Sequence, residues 1–168
     1  MPSLDVRREM LVAMTDPARL RPAEVGDLPF IFRQERGYME TIEPEALPGW
    51  LAALDRNLEL WISCLPHTVF CVDADGQPLG FAMWLPGGDA ATLVSIQVLA
   101  SHRRQGLGRV LLEEFEQQAS LGGAGAVKLG VHGTNPARLL YEVTGYDAAG
   151  REGDYLLFSK TLGVASAS

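Results

Sequence analysis

The hydrophobic period of this chain changes twice, and those changes restrict its fold more than any other feature. Between residues 28 and 65, apolar side chains return every three or four positions: Leu28, Ile31 and Phe32, then Trp50, Leu51, Leu54, Leu58, Trp61 and Ile62. Such spacing lines one side of an α-helix, and it predicts helices over about 28–39 and 47–65, the second stopped by Pro66. Beyond Pro66 the runs become short and rich in strand formers, at 69–72, 79–85 and 93–99. They are parted by the turn clusters Asp73-Ala74-Asp75-Gly76-Gln77-Pro78 and Pro86-Gly87-Gly88-Asp89. Strands joined this closely pair antiparallel, because a parallel neighbour requires a long crossover. In the third strand Val94, Ile96 and Val98 are expected on one face and Ser95 and Gln97 on the other. Helical spacing returns at Arg109, through Val110, Leu111, Phe115 and Ala119, and ends at Gly122-Gly123.

The flanks complete the pattern. Ala18-Arg19-Leu20-Arg21-Pro22 reads as a first strand, with Asp27 as the cap of the next helix and Pro29 just inside it. A strand over 126–131, a short helix over 136–144 stopped by Gly145, and closing strands at 146–147 and 154–161 follow. The order is strand, two helices, three strands, helix, strand, helix, two strands. It predicts a mixed α/β fold, with a mostly antiparallel central sheet flanked by helices. The expected organisation is one domain over 18–162. A leading helix or loose extension over 1–17 precedes it and a frayed tail over 163–168 follows.

Composition bounds the function. Lys and Arg number 14 against 21 Asp and Glu, a formal charge of −7 that disfavours nucleic acid as a partner. No apolar run approaches the roughly 20 residues of a membrane span. Asp5, Arg7, Arg8 and Glu9 interrupt the opening residues, so no secretory leader is expected and a cytoplasmic protein is. Cys64 and Cys71 form no Cys-x-x-Cys pair and are expected as buried reduced thiols. His67, His102 and His132 lack ligand spacing, so no metal site is expected.

Against this acidic background the stretch Val98-Leu99-Ala100-Ser101-His102-Arg103-Arg104-Gln105-Gly106-Leu107-Gly108-Arg109 holds three arginines, a histidine and no acid. It joins a predicted strand to a predicted helix. Gly106 and Gly108 let a bulky anion approach the main chain, and the first amides of a helix are unpaired and carry its positive dipole end. Together they form a seat for phosphate groups. The dinucleotide fingerprint fails because Leu111 stands where its third glycine would be, and no Gly-Lys-Ser/Thr follows for an ATP loop.

Arg103-x-x-Gly106-x-Gly108 after a strand ending at Val98 resembles the acyl-CoA pyrophosphate loop of the GCN5-related N-acetyltransferase (GNAT) family. The segment from Asn135 through Ala137, Leu140, Tyr141 and Glu142 to Gly145-Tyr146 resembles that family's second motif, and the likeness runs from about residue 18 to 161. The resemblance implies transfer of an acetyl group from acetyl-CoA to an amine, without a covalent enzyme intermediate; no cysteine or serine stands in an evident nucleophile motif. It implies that Arg103, Arg104, Gln105, Gly106, Leu107, Gly108 and Arg109 seat the diphosphate, with Asn135 and Tyr141 also against the cofactor. A strand amide at Val98 or Leu99 would polarise the thioester carbonyl. That strand edge would pair with the pantetheine arm if it splays from the strand at 126–131. Tyr141 becomes the candidate general acid, while Glu35 and His132 are candidate bases. The acceptor would be set by residues 33–50 and the last hairpin, where Glu35, Glu40, Glu43 and Glu45 favour a small cationic amine. Acetylation of a protein N-terminus or lysine, and a non-catalytic acyl-CoA sensor, stay open as alternatives. A homodimer is compatible with the resemblance.

Overall fold

The computed structural model describes residues 19–163. The extension or helix expected over 1–17 lies outside them, as does the expected tail apart from Gly163. The elements are β1 (Arg19–Pro22), α1 (Leu28–Ile42), α2 (Leu47–Ala52), α3 (Leu54–Cys64), β2 (Thr68–Val72), β3 (Pro78–Leu85) and β4 (Ala90–Val98). After these come α4 (Leu107–Leu121), β5 (Ala126–His132), α5 (Arg138–Val143), β6 (Asp147–Glu152) and β7 (Tyr155–Thr161). Seven strands form one sheet in the order β1-β2-β3-β4-β5-β7-β6. Every neighbour is antiparallel except β4 and β5, which run parallel. The mixed, mostly antiparallel sheet is therefore as the patterning predicts.

Alternation along the inner strands builds two cores. Val69, Cys71, Ala82 and Trp84 face α4 and α5, where Leu111, Leu112, Phe115 and Tyr141 meet them. Phe70, Val72, Phe81 and Met83 face α1 and α3, against Phe30, Ile31, Trp61 and Cys64. All five residues of β2 are buried, since it lies inside the sheet with helices over both faces. Both cysteines are free and buried, and burial pushes each thiol up to about 11, far from thiolate character at neutral pH. Among the described residues no helix is long and apolar enough to cross a membrane.

Three local expectations are corrected. The helix predicted over 47–65 is two helices, α2 and α3, broken at Ala53, whose backbone leaves helical geometry (φ −101°, ψ 19°). Asp27 occupies the cap position of α1 but makes no cap bond into that helix. Its carboxylate instead accepts both terminal nitrogens of Arg21 at 2.8 Å and the Glu24 N–H at 2.7 Å, tying α1 to β1. Val94 does not share a face with Ile96 and Val98. The register between β3 and β4 shifts at Met83/Trp84, so an extra residue bulges in β4, and Val94 turns toward the α1 side.

Candidate active site

The parallel pairing of β4 and β5 covers only Ala90–Ala126, Ala91–Val127 and Thr92–Lys128. Past Thr92 the strands part, leaving inner edges whose groups have no strand partner. A cleft of about 230 Å³ opens there. The bulge at Val94 lies at its start, which fits the usual role of bulges in bending a strand away from its neighbour. From the α1 side Glu35, Tyr38, Met39 and Glu43 line the cleft; β4 contributes Ser95 and Gln97; Asn135, Tyr141 and Tyr155 reach it from the other side.

The backbone of β4 supplies the first polar groups. Leu99 donates its N–H to the Leu79 carbonyl at 2.8 Å, so it cannot polarise a ligand carbonyl, and that expectation is corrected. Because antiparallel ladders alternate, the Leu99–Leu79 bond makes Val98, opposite Gly80, a non-hydrogen-bonded position. The Val98 N–H and carbonyl therefore face the gap. Arg103 reaches back and donates its Nε to that carbonyl at 3.2 Å.

The N-terminus of α4 provides the second. The first bond into this helix runs from the Val110 N–H to the Gly106 carbonyl at 3.1 Å. Among the described residues, the N–H groups from Gln105 to Arg109 have no backbone acceptor. Gly106 caps the helix in the left-handed region, at φ 83°, and Arg104 shares that region at φ 62°. A methyl group on Gly106 would meet nothing within 4 Å, and one on Gly108 only the Leu140 side chain at 3.5 Å. The space above both glycines is open, and free amides with the helix dipole border it, which fits a diphosphate. Arg104 is exposed beside this seat, whereas Arg109 is turned along the helix to Glu113 at 3.3 Å.

The titratable groups come third. Glu35 accepts a hydrogen bond from the Ser95 hydroxyl. Burial pushes its carboxyl up to about 7, against the opposing pull of hydrogen bonds from Ser95 and Gln97. Tyr141 is 4% exposed and packs its ring against Tyr146 and Phe158. Its hydroxyl has no hydrogen-bond partner among the described residues, yet no fully buried side-chain polar atom there lacks one. The hydroxyl is thus open to the cleft it lines, and burial raises its pKa well above the usual phenol.

The remaining expected residues are distributed as follows. His132 is not among the residues lining the cleft; its Nδ1 is engaged by the Thr134 hydroxyl at 2.7 Å and the Thr134 N–H at 3.3 Å. Asn135 lines the cleft while its Oδ1 accepts the Ala137 N–H at 2.9 Å, ordering the turn into α5. Of the four glutamates in the acceptor segment, Glu35 and Glu43 reach the cleft and Glu40 pairs with Arg36 at 2.8 Å on the surface. Tyr155 was not singled out by sequence reasoning beyond its membership of the last hairpin. Its hydroxyl donates to Glu43 at 2.5 Å, tying β7 to the end of α1.

The fold has the form of a known transferase class. The crystal structure of PaiA N-acetyltransferase from Thermoplasma acidophilum in complex with coenzyme A superposes with a TM-score of 0.72 at 18% identity, covering 86% of this chain and 98% of that one. Residues 36–146 match the Acetyltransferase (GNAT) family, and the chain belongs to that family. It is 32% identical over 121 residues to a mycothiol acetyltransferase of Clavibacter sepedonicus, a match spanning 63% of this chain and 38% of the relative. Over 81 residues it is 36% identical to the ribosomal protein bS18-alanine N-acetyltransferase of Escherichia coli, spanning 48% of this chain and 55% of that enzyme. The chain thus matches about half or less of the length of these relatives.

Proposed function

We propose that the protein transfers the acetyl group of acetyl-CoA directly to a primary amine of a small molecule. The observation carrying this reading is that Glu35 and Tyr141, from opposite ends of the chain, line one cleft beside the unpaired edge of β4. Bound acetyl-CoA would supply the activated acetyl thioester. The free amides from Gln105 to Arg109, with Arg103 and Arg104, would hold its diphosphate. The Val98 N–H would donate to the thioester carbonyl oxygen and stabilise the charge that develops there. Glu35, as carboxylate, would take the proton that the acceptor nitrogen loses; with a pKa near 7 it is matched to that task at neutral pH. As the new C–N bond forms and the C–S bond breaks, the Tyr141 hydroxyl would give its proton to the departing sulfur. Ser95 is committed to Glu35 and no cysteine lines the cleft, which supports direct transfer. His132, with Nδ1 engaged away from the cleft, is the weaker base.

A second reading, acetylation of a protein α-amine, draws on the likeness to the bS18-alanine enzyme. The Tyr155–Glu43 bond ties β7 to α1 beside the cleft and favours a small acceptor over a peptide. The same proposal puts the protein in the cytoplasm, where Cys64 and Cys71 stay reduced. A thiol-release assay with acetyl-CoA and a panel of amines and peptides tests it. Turnover with small primary amines is expected; CoA binding without thiol release from any acceptor would leave a sensor and overturn the transferase reading.

A further inference from the structure

Glu35 and Glu43 are the charged side chains that line the cleft, and no lysine, arginine or histidine joins them among the described residues. Neither carboxylate is in an ion pair there; the four ion pairs involve other acids. A cleft with two carboxylates and no compensating cation is built for positive charge. The two differ in setting. Glu35 sits against Ser95 on β4, at the reacting end, and serves as the base in the proposal above. Glu43 lies eight residues on, just past the end of α1, about 12 Å further along the helix axis at 1.5 Å per residue. Two phenols share its end of the cleft: Tyr155 donates its hydroxyl to it from β7, and Tyr38 lines the same cavity from α1. Both tyrosines line the same cleft as Glu43. Aromatic walls beside a fixed carboxylate bind an ammonium by ion pairing and by the ring face together. Independently, Tyr141 is nine-tenths buried or more, unpartnered, and open to this same cavity, which marks it as a ligand site rather than a solvated acidic patch.

We propose that Glu43 anchors a second cationic group of the acceptor, so that the substrate is an alkyl diamine of intermediate length. One nitrogen is acetylated beside Glu35 while the other stays an ammonium against Glu43, Tyr38 and Tyr155. This rests on the acetyl-transfer reading and goes further by naming a two-point acceptor.

The test compares kcat/KM for a series of α,ω-diaminoalkanes with that for monoalkylamines of matched length, using the full chain and acetyl-CoA. A diamine preference of about tenfold or more, peaking at an intermediate length, is expected. In Glu43→Gln that preference collapses through a higher diamine KM with kcat less affected, and Glu43→Asp restores part of it. Monoamines turned over as well as diamines, or a Glu43→Gln loss equal for both, would overturn the two-point acceptor while leaving the transferase standing. Absence of thiol release from every amine would overturn both.

Discussion

Glu35 carries the sharpest residue-scale expectation, because its environment separates its folded and unfolded ionisation. Only the carboxylate accepts a proton, so kcat/KM should rise with pH through about 7 and then level. Glu35→Gln should lower kcat by about a hundredfold or more and erase that acidic limb, as a pH–rate profile would reveal. Stability follows the opposite sense. A carboxyl whose folded pKa lies above its unfolded value of 4.5 contributes stability that is present below 4.5 and lost as pH rises through about 7. The Gln variant should therefore gain on the wild type in thermal melts between pH 5 and 8, and an unchanged difference across that range would contradict the buried-carboxyl assignment. Tyr141→Phe keeps the ring packed against Tyr146 and Phe158, so its melting temperature should hold while kcat falls by about a hundredfold. Undiminished turnover would remove Tyr141 as the proton donor.

At the scale of elements, the seat at the head of α4 separates strain from ligand exclusion. Gly106 has a left-handed backbone that an alanine pays for with about 1–2 kcal/mol, so Gly106→Ala should lower Tm by about 2–8 °C. Gly108 is not left-handed and its added methyl would touch only Leu140 at 3.5 Å. Gly108→Ala should therefore melt like the wild type but bind CoA about tenfold more weakly by calorimetry, equal to about 1.4 kcal/mol. Normal CoA affinity in that variant would show that the diphosphate sits elsewhere. Element identity was readable from the sequence because period and punctuation agree: Pro66 ends a helical stripe, and Gly145, at φ 92°, ends α5 as its type predicts. Two of the errors share one cause: the break at Ala53 and the bulge at Val94 interrupt a period with no glycine or proline at either position to announce them.

Across the whole molecule, two cores back the sheet and the cleft lies where its strands part. Phe115 is fully buried against Trp84 at a ring separation of 5.5 Å, so Phe115→Ala should cost about 3–5 kcal/mol by denaturant titration. Lys160 on β7 holds Glu116 of α4 at 2.7 Å and the Thr144 carbonyl at 2.9 Å, locking the α4–α5 side on which Tyr141 is mounted. By itself the chain determined most of its elements, their antiparallel middle and a helix start with unpaired amides, because these depend on near neighbours: hydrophobic period, turn residues and the geometry of one helix end. Tertiary structure alone decided that Glu35 meets Ser95, that the Leu99 N–H is spent on Leu79 while the Val98 N–H is left free, and that Tyr155 holds Glu43. Those outcomes depend on ladder register and on packing between residues far apart in sequence, which no local pattern encodes.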